Sequence, residues 1–243
     1  MNTANLHPNS PVRHTARHQV ASRFSDPLDC LTAHLVLECS EALAGIKPAS
    51  LVSLVNRQRS CGRNLYHLWQ QHSHELSAAL PMLRFRVLQS SERALLLFCY
   101  HPEQLAAHLS HPGIRALLVK AGYDGAGDSS DLLEELNRRI AGHGSFPHEI
   151  GLFIGYPAKD VAAFMGLVKL PFTCQGPWKI FGNPEKSLCL AGSFRRTRRM
   201  VGTLLEQCAT PCECIDRLNC LKNRFSGPTN DKKFHCHNQE VHV

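Results

Sequence analysis

A histidine, a carboxylate and a cysteine lie beside two apolar stretches of the chain. His148 and Glu149 come directly before residues 150–154, and Cys174 comes shortly before residues 178–181. In one site, a thiol, an imidazole and a carboxylate can act as nucleophile, general base and orienting group. With one more donor they could instead hold zinc or iron. The commoner alternative is structural: His148 and Glu149 bond to a strand edge, and Cys174 packs in a loop.

Soft metal donors are concentrated towards the C-terminus. They are Cys208, Cys212, Cys214, Cys220, His235, Cys236 and His237. Donors at this density could bind zinc, copper or an iron–sulfur cluster, so zinc or iron is the cofactor that the sequence suggests. The spacings match neither a paired C-x-x-C zinc site nor a ferredoxin run, which leaves adventitious binding or a redox-labile tail as the alternative.

A binding edge for an anionic ligand is predicted where the same two apolar stretches end. Its residues are Gly155, Tyr156, Lys179, Gly182 and Asn183. Open α/β sheets bind ligands at the carboxyl ends of their strands, and a helix that begins near Ala158 would point its N-terminus there. Against a ligand, Asp160 could satisfy that helix end, and Gly-Tyr-Pro is also an ordinary turn. Neither run matches a P-loop or a dinucleotide fingerprint.

Lys47 and Ser50 mark another candidate anion site. They flank Pro48 and Ala49 at a predicted helix start, which places a cation and a hydroxyl near free backbone N–H groups. A plain capped turn explains the same residues and is the commoner situation.

Two predicted strands must position these groups. Residues 150–154 and 178–181 are short apolar runs bounded by Gly and Pro, and the helix predicted over residues 158–167 separates them. The order of strand, helix and strand along the chain favours a parallel pair of strands joined by a right-handed crossover. The N-terminal ends would then unite His148 and Glu149 with Cys174. Because a strand rises ~3.3 Å per residue, the Tyr156 edge would lie roughly 20 Å away, as a separate site.

The remaining pattern indicates an α+β (mixed α/β) fold. An antiparallel hairpin is predicted over residues 83–88 and 94–100. Helices are predicted from Asp26-Pro27 to about residue 39, from Lys47-Pro48 onward, around residues 65–76, on both sides of His111-Pro112-Gly113, over residues 132–140 and from residue 184 to about 206. We expect a single domain over residues 26–207, with a small mixed sheet of about four strands covered by helices. Residues 1–25 are expected to form a disordered basic tail, and residues 208–243 a mobile tail rich in Cys and His.

Composition narrows the possible partners. The formal net charge is +7, and its one concentrated patch is Arg195, Arg196, Arg198 and Arg199, expected on the polar face of a helix. No aromatic ladder accompanies these arginines, so nucleic acid is not the expected partner, whereas a protein partner stays open. No apolar run approaches the ~20 residues of a membrane span, so no membrane partner is expected. Eleven cysteines, an odd number without a secretory signal, favour reduced thiols and a cytoplasmic location.

Three segments together resemble a known family. They are residues 43–51 (LAGIKPASL), 146–157 (FPHEIGLFIGYP) and 174–182 (CQGPWKIFG). Their order and spacing resemble a family of uncharacterised bacterial proteins, a domain of unknown function common in anaerobes, over roughly residues 28–206. The resemblance implies a compact cytosolic domain. It supplies no reaction, cofactor or catalytic residue.

Three functional hypotheses follow from the sequence. The first is an accessory protein that binds a metal or metal-containing cofactor through its Cys and His donors. The second is a small-molecule enzyme with a thiol site at Cys174 and His148. The third is a module that binds an anionic ligand at the Tyr156 edge.

Overall fold

A computed structural model of the chain describes residues 20–142 and 146–225. Helix α1 (Pro27–Glu38) begins as predicted, because the Asp26 side chain accepts a hydrogen bond from the Asp29 amide at 2.9 Å and Pro27 occupies the first turn. A short helix, α2 (Ser40–Leu43), continues from its end. Residues 30–37 of α1 and all four residues of α2 are buried, which places this part of the chain inside the fold.

The main sheet has three antiparallel strands in the order β1 (Ala49–Val55), β3 (Ala94–Tyr100), β2 (Arg84–Ser90). The predicted hairpin of β2 and β3 is confirmed. The helix predicted from Lys47-Pro48 is wrong, because Ala49 to Val55 pair with β3 along their whole length. Proline suits a strand entry as well as a helix start, and the alternation of Val52, Leu54 and their neighbours fits a strand.

The sheet lies between two apolar clusters, and successive side chains of its strands point alternately into one cluster and the other. On β3, Leu95, Leu97 and Cys99 belong to the first cluster, whereas Leu96, Phe98 and Tyr100 pack in the second. The first cluster is covered by α1, α2, α3 (Leu65–His72) and α4 (Leu76–Ala79). The second is covered by α5 (Pro102–Leu109), α6 (Pro112–Lys120) and α7 (Ser129–Ala141). The sheet is thus sandwiched between two layers of helices.

The parallel pair predicted from residues 150–154 and 178–181 is wrong. Ile150 to Phe153 form one helical turn, α8 (Ile150–Phe153), which is followed by α9 (Ala158–Phe164). Strand β5 (Lys179–Phe181) pairs antiparallel with β4 (Phe172–Gln175) in a separate two-stranded sheet. A run of five apolar residues fits a buried helical turn as well as a strand, so apolar periodicity alone could not decide.

Two C-terminal helices complete the fold. Helix α10 (Glu185–Gln207) agrees with the predicted long helix, and α11 (Pro211–Phe225) follows it. Cys208, Cys214, Ile215 and Leu218 are buried in the first cluster. Within the tail predicted over residues 208–243, Pro211–Phe225 are therefore a helix that packs on the core, and residues 226–243 lie outside the described residues.

The architecture is α+β, as predicted, although its strands form two antiparallel sheets rather than one mixed sheet. Among the described residues, none of the helices has the length and apolar character needed to cross a membrane.

Candidate functional site

Glu149 belongs to an ion-pair cluster between α7 and α8. Its buried carboxylate accepts hydrogen bonds from the Arg139 guanidinium at 3.0 Å and from the Tyr123 hydroxyl at 3.3 Å. Burial, followed by the negative charge of Glu149, raises the pKa of Tyr123. These contacts fix the turn that precedes α8, which is a structural role for Glu149.

His148 and Cys174 have other neighbours. The exposed His148 ring lies 4.8 Å from the Phe164 ring, measured between centroids. Cys174 is half-buried against the cluster formed by Trp178, Ile180 and Phe194. Because residues 150–154 and 178–181 do not form a parallel pair of strands, no shared sheet edge brings His148 and Glu149 to Cys174.

The C-terminal cysteines within the structure do not form a metal centre. Cys208 and Cys214 are buried, whereas Cys212 and Cys220 are exposed. Burial, followed by the neighbouring Cys208, raises the pKa of Cys214 to about 12, so its thiol stays protonated at neutral pH. In residues 20–142 and 146–225, no group of three or more His, Cys, Asp or Glu side chains could hold a metal ion. His235, Cys236 and His237 lie outside the described residues.

Lys47, Gly155 and Tyr156, predicted in two separate sites, come together in the structure. Gly155 adopts a φ of +78°, and a Cβ added there would lie 2.7 Å from the Cδ of Pro48 and 3.2 Å from the Cβ of Lys47. The turn after α8 therefore closes directly on the segment that leads into β1. Only glycine suits both this backbone conformation and this close approach.

An aromatic stack extends from this turn. The rings of Tyr156 and Trp178 lie 4.6 Å apart between centroids, and Phe194 lies 6.0 Å beyond Trp178. The Lys47 ammonium lies 5.3 Å from the centre of the Phe194 ring. The three segments that carry the family resemblance thus meet at one place, through Lys47-Pro48, Gly155-Tyr156 and Trp178.

Asp160 fixes one side of the stack. Its buried carboxylate accepts hydrogen bonds from the Trp178 indole at 2.8 Å, the Ser187 hydroxyl at 2.6 Å and the Phe181 amide at 3.0 Å. Lys159 pairs with it at 2.7 Å. One carboxylate on α9 thereby holds both β5 and α10 in position.

Two cations share one buried carboxylate beside the stack. Glu41 pairs with Arg198 at 2.8 Å and with Lys47 at a longer 3.8 Å. The half-exposed Glu38 lies 3.9 Å from Arg198. Burial lowers the pKa of Lys47, because the charged ammonium is taken out of water. Two cations and two carboxylates thus lie together, and only the Arg198–Glu41 pair is shorter than 3 Å.

Two buried polar atoms of this region lack hydrogen-bond partners within the part of the chain that the structure describes. They are the Ser50 hydroxyl and the Nε of Arg198. Ser50 enters β1 just after Lys47, opposite Cys99, whose thiol is hydrogen-bonded to Cys39. Buried polar groups are nearly always paired, so an unpaired donor here requires an explanation, such as a bound ion or ligand.

The other predicted ligand residues lie elsewhere. Lys179 is exposed, and its ammonium lies 5.0 Å from the centre of the Phe164 ring. The Asn183 side chain accepts a hydrogen bond from the Glu185 amide and so caps the start of α10. Gly182 lies beside Leu170. These three residues do not join the cluster around Lys47.

Glu41 and Arg198 were not recognised as members of the site from the sequence. Arg198 was assigned to a polar helix face with its neighbouring arginines, yet it shares a face of α10 with the buried Phe194 and Val201. That spacing is the signal that could have found it. Glu41 could have been suspected because it interrupts a stretch of small and apolar residues.

Comparison with known proteins identifies the family of the chain. Neither the curated proteins nor the solved structures contain a match to it. The model of one family, described as "Protein of unknown function (DUF3793)", matches residues 35–215, which include Glu41, Lys47, Tyr156, Trp178 and Arg198. The chain therefore belongs to the DUF3793 family of proteins of unknown function.

Proposed function

We propose that this protein binds a small anionic ligand, a carboxylate or a phosphate, at the junction of Lys47, Ser50 and Arg198. The observation that carries the proposal is the pair of unpartnered buried donors, the Ser50 hydroxyl and the Arg198 Nε, beside two cations that share Glu41. An anion would supply acceptors for these two donors, and its charge would be favoured by the two neighbouring cations.

The surroundings support binding rather than covalent chemistry. The Tyr156 and Trp178 rings pack on each other, which makes them a rigid wall for the site. Burial raises the pKa of Tyr156, so its hydroxyl stays protonated and can donate a hydrogen bond at neutral pH. Lys47 provides a charge close to the entrance of β1.

We prefer this function to a metal-binding accessory role or a thiol enzyme. The metal interpretation depends on cysteines that are buried as neutral thiols or exposed singly in the described residues. The thiol interpretation depends on a pairing of Cys174 with His148, which have different neighbours. As part of the same proposal, we place the protein in the cytoplasm, where reducing conditions suit its ten free cysteines in the described residues.

Ser50 allows a clean test. The Ser50→Ala variant removes the unpartnered hydroxyl without changing a charge, and Ser53→Ala on the exposed side of the same strand is the matched control. We expect inorganic phosphate or a simple dicarboxylate to raise the thermal midpoint of the wild type. By isothermal titration calorimetry, Ser50→Ala should bind the active anion roughly tenfold more weakly, since a hydrogen bond to a charged group is worth about 1.5–3 kcal/mol.

Two outcomes would remove the proposal. One is that no anion of a panel of phosphates, sulfates and carboxylates changes the thermal midpoint. The other is that Ser50→Ala binds the active anion as tightly as Ser53→Ala. A Lys47→Met variant adds a further check, because it should weaken binding and also reduce its dependence on ionic strength.

A further inference from the structure

The outer side of the small sheet carries an exposed aromatic surface. Phe172 of β4 is 57% exposed, and Phe164 at the end of α9 is 42% exposed. Phe181 pairs with Phe172 across the two strands, and Lys179 projects beside it. We call the surface formed by His148, Phe164, Phe172, Lys179 and Phe181 the aromatic face. Large apolar side chains grouped in this way commonly mark a binding surface.

Two groups of contacts make up the aromatic face, and strand β5 links them because it carries both Lys179 and Phe181. The Phe172 and Phe181 rings meet edge to face, 5.9 Å apart between centroids. Phe164 has the His148 ring at 4.8 Å on one side and the Lys179 ammonium at 5.0 Å. Leu170 and Val168, which are 39% and 37% exposed, extend the apolar area along the loop before β4. Neighbouring rings thus limit the movement of these aromatic side chains.

The charged side chains of residues 161–184, the segment that contributes most of the aromatic face, are all positive. From residue 161 to residue 184 the chain has no acidic residue, and its charged residues are Lys169 and Lys179. Asp160, just before this segment, is buried and engaged by Trp178, Ser187 and Phe181. The segment that contributes most of the aromatic face therefore combines apolar side chains with two lysines and no carboxylate.

We infer that the aromatic face is the docking surface for a segment of a partner protein that presents carboxylates beside apolar side chains. A carboxylate would pair with Lys179 or Lys169, and apolar side chains would cover Phe172 and Phe164. The same face of a second copy is a poor match, because it would bring lysine against lysine. The interlocked edge-to-face rings form an apolar surface suited to side chains, whereas successive bases need separate open ring faces.

This surface is distinct from the proposed anion site. On β5 the side chain of Ile180 points inward to the Trp178 cluster, whereas Lys179 and Phe181 point outward. The two sides of one short strand thus serve two binding surfaces. The docking proposal does not depend on the anion proposal.

A random library of displayed dodecapeptides, selected on the immobilised full chain, provides the test. We expect the recovered peptides to be enriched in Asp and Glu together with Phe, Leu or Ile. Affinity of a recovered peptide should fall about tenfold or more for Phe172→Ser, while Val119→Ser, an equally exposed apolar site on α6, should leave it unchanged. Thermal melting would show that both variants remain folded.

Charge reversal sharpens the test. Selection on the Lys169→Glu, Lys179→Glu double variant should recover peptides rich in Lys and Arg instead, and the acidic peptides should no longer bind. The proposal fails if the peptides selected on the wild type are not acidic, if none is recovered, or if they bind Phe172→Ser equally well. Saturable binding of a single-stranded dT20 oligonucleotide, or of phosphatidylcholine–phosphatidylglycerol vesicles, through Phe172 would also overturn it and reassign the aromatic face.

Discussion

Single side chains decide how the smaller elements of this protein are attached, and Asp160 is the clearest case. It accepts hydrogen bonds from a side chain of the small sheet's turn, from a backbone amide of β5 and from a hydroxyl of α10. A carboxylate with only acceptor atoms suits a site where every neighbour donates. A side chain with an N–H or O–H donor at position 160 would place that donor against another donor.

Replacement of Asp160 by Asn should therefore destabilise the protein strongly. The amide group would point at least one N–H towards the Trp178 indole, the Phe181 amide or the Ser187 hydroxyl, and the Lys159 charge would lose its partner. We expect a loss of about 3 kcal/mol in the free energy of unfolding, measured by urea denaturation. Asp216→Asn, at an exposed position of α11, is the control and should change little. An equal, small effect in both variants would contradict this role for Asp160.

The loss of stability of the protein at acidic pH should depend in part on Glu135. Hydrogen bonds first from Arg138 and then from Arg139 lower the pKa of Glu135 from 4.5 to about 2. A carboxylate with a depressed pKa in the folded state stabilises the protein above its unfolded pKa, and this stabilisation is lost as pH falls from about 4.5 towards 2. Glu135→Gln should cost roughly 1 kcal/mol at pH 7, given its partial exposure, and less at pH 3.

Urea denaturation at several pH values between 3 and 7 would measure this effect. Glu103→Gln, at an exposed position of α5, serves as the control. A constant difference between Glu135→Gln and the wild type across this range would show that the paired carboxylate does not contribute in the expected way.

At the scale of elements, the junction between the α8 turn and the entry to β1 depends on Gly155. Its φ of +78° and the 2.7 Å approach to Pro48 impose two separate costs on any larger residue. Gly166 has nearly the same φ, +76°, with nothing within 4 Å of an added Cβ. The two glycines therefore form a matched pair that separates backbone strain from crowding.

Alanine at these two positions should give different results. Gly166→Ala should cost about 1 kcal/mol, the strain of a left-handed conformation alone. Gly155→Ala should cost at least about 2 kcal/mol, because Pro48 and Lys47 must also move. Thermal and urea unfolding of both variants would measure the difference, and equal losses would mean that the junction tolerates the extra methyl group.

The sequence predicted the elements whose signals are local. Asp26-Pro27 marks the start of α1 by capping and proline geometry, and the polar turn between β2 and β3 marks a hairpin, so both predictions held. The prediction failed at residues 150–154, where a short apolar run has no periodicity that separates a helical turn from a strand. Since strand pairing depends on partners distant in sequence, the antiparallel pairing of β4 and β5 could not be read from either run alone.

The candidate site was predicted in pieces. The sequence indicates Lys47, Ser50, Gly155 and Tyr156 as two unrelated sites, because it predicts a helix start at Lys47-Pro48 and a strand at residues 150–154, and both predictions are wrong. Glu41 and Arg198 were missed as partners because their ion pair joins residues far apart in the chain. Such a long-range pairing leaves no trace in local spacing.

At the scale of the whole molecule, the C-terminal helix is part of the core. Ile215 and Leu218 of α11 are buried in the first apolar cluster with Val201 and Leu205 of α10. Full burial of an aliphatic side chain contributes about 1.5–3 kcal/mol, so loss of two of them would remove a large part of a typical domain's stability.

A chain that ends at residue 207 should therefore be unstable or insoluble. The full chain with Leu218→Ala is the graded comparison, and it should lose about 2–5 kcal/mol while keeping the same fold. Circular dichroism and thermal melting would follow both. A shortened chain with the melting temperature of the full chain would show that residues 208–225 contribute little to stability.

Strand β3 lies in the middle of the sheet between the two helical layers, and this position should determine how the molecule unfolds. Because one strand supplies the wall of both apolar clusters, neither helical layer can separate from the sheet without exposing the side chains of the other. The two layers should then unfold in one cooperative transition. In a Trp178→Phe variant, fluorescence reports on Trp69 and so on the first layer alone. It should follow the same denaturation curve as the far-ultraviolet circular dichroism of that variant, and curves with separate midpoints would show that the layers are independent.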